Sequence, residues 1–231
     1  DESTLGASMK LSGAIPLQEG KETQLTLTTN SFPAKSFFGL QMGQLFEGEV
    51  RHAEGSVTYT MGEDHLDEFV AEFTGDYFEL KSLPFLNDLK ELFPKEGYDD
   101  IVFGTNIKGV MRARPGGVAL ESLEMNHKDL FRLKGNMIVS ESGQLGGRMT
   151  LWINRGLIIS EPRLKNFPGL NKIEPGYSRV DFELKGTANA PQDTFRIVTG
   201  LQASLPGVIE PKVDEAQDLW KLLTPNLSDE E

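Results

Sequence analysis

The chain has 231 residues, no cysteine, 35 acidic against 23 basic side chains and a formal net charge of −12. The missing thiols exclude disulfides, thiolate nucleophiles and zinc-thiolate centres, and the acidic balance argues against a phosphate-backbone partner, since nucleic-acid binders concentrate Lys and Arg. A hydrophobic share of 38% with 24 glycines suits many short strands and turns, in a chain long enough to bury a core unaided.

Taken in order, residues 9–29 include MKLSG and TQLTLTTN, where Leu25 and Leu27 alternate with Thr26 and Thr28 as in a half-buried strand. EGEVRHAEGSVTYTM (47–61) predicts two strands joined near Ala53-Glu54-Gly55, and 67–75 and 76–83 predict two more, divided at Gly75-Asp76. The period then changes. In LPFLNDLKELFP, Leu86, Leu89 and Phe93 recur at three and four, with prolines near the start and at the stop, which predicts a short amphipathic helix over 83–93.

Four strand-length segments follow: IVFGTNIKGVMRA, GVALESLEMN, LFRLKGNMIVS and QLGGRMTLWINR. Turn residues separate them, so they form an antiparallel meander. Residues 156–178 carry three prolines and predict an extended excursion. RVDFELKGT restores alternation, and VDEAQDLWKLL (213–223) predicts a C-terminal helix capped by Asp214. A Lys/Glu-Gly pair recurs at Glu47-Gly48, Lys134-Gly135 and Lys185-Gly186 without a fixed period. No long linker interrupts the chain, so 1–231 is read as a single, mainly β domain: a curved antiparallel meander with one or two short helices.

Catalytic signatures are missing. His52, His65 and His127 are far apart and form no HxxxH or HExxH spacing. GEDHLDE (62–68) crowds carboxylates without the EF-hand spacing, and reads as a solvated turn. There is no phosphate-binding glycine loop between a strand and a helix, and no GxSxG elbow; Ser140 and Ser142 have no histidine placed for a triad. A carboxylate pair for glycoside chemistry stays open, because so many acids make pairs inevitable. We expect no enzyme activity, no cofactor and no metal. Fourteen phenylalanines against four tyrosines and two tryptophans suit a dry core or an acyl chain better than a sugar.

The order of these segments resembles the C-terminal region of AsmA-like bacterial envelope proteins, the family that includes TamB-type relatives. The leucine-rich helix LPFLNDLKELF is followed by VFGTNIKGVMRA, then GGVALESLEMN, LFRLKGNMIVSE and LGGRMTLWI. The closing strand FELKGTANAP (Phe182–Pro191) ends in Gly-Thr with a proline soon after. That proline cannot continue a central ladder, so it ends the last long strand or places it at an edge.

The resemblance implies an AsmA-like half-barrel with an apolar concave face, and a parent protein in the periplasm or cell envelope, anchored at the inner membrane through a segment upstream of Asp1. It implies lipid transport or outer-membrane biogenesis, with lipid acyl chains or other envelope proteins as partners. The candidate groove residues are Phe131, Ile138, Met149, Leu151, Val180, Phe182 and Leu184, all of which serve equally well as core. The alternative is a cell-surface or periplasmic interaction module with an immunoglobulin-like sandwich.

Overall fold

The structure is a computed structural model, and it describes residues 8–15, 18–63, 65–81, 83–93, 102–103, 105–160 and 172–195. Twelve strands join in one sheet: β1 (Ser8–Ser12), β2 (Glu22–Pro33), β3 (Phe46–Thr60), β4 (Glu68–Leu80), β5 (Val102–Phe103), β6 (Thr105–Arg114), β7 (Gly117–His127), β8 (Phe131–Ser140), β9 (Leu145–Asn154), β10 (Lys172–Glu174), β11 (Tyr177–Thr187) and β12 (Ala190–Asp193). The order is β1-β2-β3-β4-β6-β7-β8-β9-β11-β10, with β5 on β4 and β12 on β11, and the pairs are antiparallel. β1 and β10 end this path without meeting, so the sheet is open. The described residues form one sheet, a meander from β1 to β9 with β11 set between β9 and β10, and not the two stacked sheets of the immunoglobulin-like alternative.

Because directly opposed residues share a face, the register defines rows across the sheet. One row runs Leu27–Gly55–Ala71–Met111–Leu120–Met137–Gly147–Leu184 and faces the core. A second runs Asn30–His52–Thr74–Lys108–Glu124–Lys134–Thr150–Asp181 and faces outward.

Two expected turns lie inside strands instead. β3 is continuous through Gly55, which is bonded into β2 and β4 on either side, and β4 is continuous through Gly75, which is opposite both Val50 and Ile107. The irregularity beside Gly75 is a bulge: the β3–β4 register slips near Tyr77, whose φ is 59°. A second register slip falls on β7 at Ser122, φ 51°. The reversal between β3 and β4 falls in the acidic GEDHLDE segment. The 156–178 segment opens on a helix, α3 (Arg155–Ser160), and closes on β10 and the start of β11. Residues 161–171 and the expected helix at 213–223 lie outside the described residues.

Helices cover the inner face at two places. Near β2–β4, α1 (Ala34–Phe37) and a 3₁₀ turn (Met42–Leu45) bury Phe37, Phe38, Met42 and Leu45. Phe38 stands 4.7 Å from Phe46 and 5.1 Å from Phe73, ring centre to ring centre. On the other half, α2 (Pro84–Leu92) starts with Pro84 in its first turn, as the sequence predicts. Nine residues are too few to hold a helix in water, so its stability comes from docking. Burial of Phe85, Leu86 and Leu89 supplies at most about 1.5–3 kcal/mol each. Among the described residues, no helix is long and apolar enough to cross a membrane.

Pro191 sits in β12 opposite Gly186 (φ 87°). The last long strand ends at Thr187, turns, and returns as a short edge strand where a missing N–H is harmless. The returning strand delivers Asp193, buried at 5% exposure, to α2. Its carboxylate accepts the Phe85 N–H at 2.7 Å and the Phe195 N–H at 3.0 Å. One of the orphan donors at the start of α2 is thereby satisfied from 108 residues away.

Candidate functional site: the apolar face, its margin and the outer rows

Six of the seven candidate groove residues share the inner face. Leu133–Leu151–Val180, Gly135–Met149–Phe182 and Met137–Gly147–Leu184 are consecutive rows, and Phe131 is opposite Ile153 beside them. Ile138 does not join them. It follows Met137, so it points to the opposite side, in the row of Arg112, Ala119 and Gly146.

The six are core, none more than 9% exposed. Phe85 covers Phe182 at 4.9 Å, Phe195 closes on both at 5.8 and 5.3 Å, and Phe93 lies 5.8 Å from Phe131. Phe182 and Phe131 therefore lie under α2 and the Phe93 that ends it.

The cover stops at the other end of the sheet. Met9 is opposite Thr29 and Leu11 is opposite Leu27, so both face inward, yet they are 53% and 52% exposed. Ile15 is 55% exposed just beyond, and Leu25, two residues from Leu27, is half-buried. The hydroxyls of Thr23 and Thr29, buried on this face, have no hydrogen-bond partner among the described residues. Met9 and Leu11 alternate with Lys10 and Ser12 as in any strand, so the sequence alone does not mark this margin.

The outer face is held by ion pairs across strands. Glu68 on β4 takes Arg112 and Arg114 of β6, and Arg112 also reaches Glu121 of β7 at 3.1 Å. Partial burial pushes the Glu68 carboxyl up, but hydrogen bonds and charge from Arg112 and Arg114 outweigh it and hold the group below its ordinary value of 4.5. Glu124 is also held low, chiefly by the Lys134 hydrogen bond at 2.9 Å and then by Lys108 at 3.2 Å, against a smaller upward push from burial.

A carboxyl with a lowered folded value stabilises the fold above its unfolded pKa, and the benefit disappears as the pH falls through the folded value. Glu68→Gln is therefore expected to cost about 1 kcal/mol near pH 7, after discounting for partial exposure, and about nothing near pH 2. Urea unfolding at both pH values checks it; an equal cost at both would show that charge is not the cause.

Among the described residues, no group of three or more His, Asp or Glu side chains could hold a metal ion. His52 lies within hydrogen-bond distance of the Asn30 Oδ1 at 2.8 Å and the Glu54 carboxylate at 3.1 Å on the outer face, and His127 is buried beside Phe131, their ring centres 6.1 Å apart. Comparison of the chain with protein-family models, with curated proteins and with solved structures gave no match.

Proposed function

We propose that the chain is a non-catalytic, AsmA-like element of a bacterial envelope that takes up lipid acyl chains along the open margin of its apolar face. The observation that carries this reading is the exposure of Met9 and Leu11, 53% and 52%, on the face that forms the buried core along β8, β9 and β11. A hydrocarbon chain laid along β1 and β2 would gain about 0.8 kcal/mol for each CH₂ it buries there. A meander with one apolar and one wet face suits a role in lipid handling or outer-membrane biogenesis, and such a face binds without bond-making.

The test is exchange of a fluorescent fatty acid, together with mass spectrometry of lipid retained by the purified chain. The native chain is expected to hold acyl ligand, and the Met9→Glu/Leu11→Glu variant to lose it while staying folded. A native chain that neither retains nor exchanges lipid overturns the reading.

The second reading, a docking module for another envelope protein, is favoured by the outer edge of β1, which no strand among the described residues pairs and whose backbone groups could accept an added strand. Equal binding of acyl ligand by the native chain and the double variant would favour it over the first.

A further inference from the structure

The outer surface of β8, β9 and β11 runs against the charge of the molecule. The chain carries 35 acidic and 23 basic side chains, yet the outward-facing charged positions of these three strands are Arg132, Lys134, Arg148, Arg179 and Lys185 against Asp181 and Glu183. Both acids are already engaged, Asp181 by Arg179 at 2.8 Å and Glu183 by Lys185 at 3.0 Å. Lys134 is paired with Glu124 of β7. Arg132 and Arg148 are exposed, and neither has a carboxylate within ion-pair distance among the described residues.

Aromatic residues with a polar edge are set among these cations. Arg132, Trp152 and Arg179 form one row across the three strands. Arg179 lies 5.8 Å and Lys134 6.0 Å from the Trp152 ring centre, and Arg132 sits 4.2 Å over Tyr177. The buried indole N–H of Trp152 has no acceptor among the described residues. α1, α2 and α3 all contribute to the inner cluster, so none of them covers this surface.

We infer that this outer face is a docking surface for an anionic lipid bilayer. Unpaired guanidiniums supply attraction to phosphate-bearing headgroups, and Trp and Tyr flanked by Lys and Arg match the residue chemistry of a membrane–water interface. The sheet face offers these groups in adjacent rows, so several headgroups are met at once. Lipid is held here by charge at the headgroup and not by the acyl chain, so the inference is independent of the β1 margin.

The experiment is flotation of the full chain with phosphatidylglycerol vesicles and with phosphatidylcholine vesicles, at low and high salt. Binding is expected to the anionic vesicles alone, to fall with salt, and to weaken at least about tenfold in Arg132→Glu/Arg148→Glu. The Met9→Glu/Leu11→Glu variant is expected to float as the native chain does, which separates failure of this inference from failure of the acyl-chain reading. Absence of binding, equal binding to both vesicles, or native-like binding by Arg132→Glu/Arg148→Glu overturns it. Binding to soluble polyglutamate but not to vesicles also overturns it, in favour of an acidic protein partner. Circular dichroism of the charge-reversed variant guards against unfolding, and Trp152→Phe, which keeps an aromatic ring but removes the indole N–H, is expected to weaken flotation less than the double reversal.

Discussion

Gly55→Val is expected to destabilise the sheet by about 4 kcal/mol, a large part of a domain's whole stability. A Cβ at this position would collide with the Val70 carbonyl oxygen, lie 2.6 Å from the Ala71 Cα and 2.7 Å from its Cβ. These are atoms of the neighbouring strand in the middle of the sheet, fixed by the ladder on both sides, and they cannot rotate away as a side-chain tip would. Relief would require β3 and β4 to separate, which breaks their bonding where the core row crosses them. Gly116→Ala is the contrast: nothing lies within 4 Å of its Cβ, and only its φ of 107° resists substitution, so about 1–2 kcal/mol is expected. Urea unfolding followed by circular dichroism measures both. A Gly55→Val chain no less stable than Gly116→Ala would mean that β3 and β4 are not packed this closely.

Gly55 also shows how far the sequence can be read. Glycine near a run of polar residues is a turn signal and a close-approach signal alike; the choice depends on whether a strand flanks it on each side, which is long-range information. The same ambiguity split β4 at Gly75. Where alternation was clean and the ends were marked, as in β8, β9 and β11, the strands stand where the pattern puts them. The α2 segment was legible because its apolar spacing and N-terminal proline agree.

Residues 34–45 were missed. Phe37, Phe38, Met42 and Leu45 give an apolar face too short and irregular for a helical period to stand out. Ile138 could have been separated from Phe131 by counting alone, since an odd spacing in an unbulged strand changes face. The Asp193 cap and the Arg132–Trp152–Arg179 row could not be read, because both depend on register between segments tens of residues apart.

Whether the apolar face is sealed or opens depends on how firmly α2 is held, and Phe85→Ala measures that directly. Phe85 has no exposed surface, and its ring packs against both Phe182 and Phe195. Removing the ring should cost about 3–5 kcal/mol, from lost burial and from the cavity left among side chains that cannot all move in. Phe85→Leu, which refills much of that space, should cost about 1–2 kcal/mol. Because the Asp193 bond goes to the Phe85 backbone N–H, both variants retain the cap, and the difference between them reports packing alone. Hydrogen exchange in α2 should accelerate far more than in β8 and β9 when the ring is gone, since a nine-residue helix has no stability apart from its docking. If Phe85→Ala also exposes Phe182 to an acyl ligand, its uptake should survive Met9→Glu/Leu11→Glu, whereas uptake confined to the β1 margin should not. A cost below about 1 kcal/mol for Phe85→Ala would mean that α2 contributes little to covering the face.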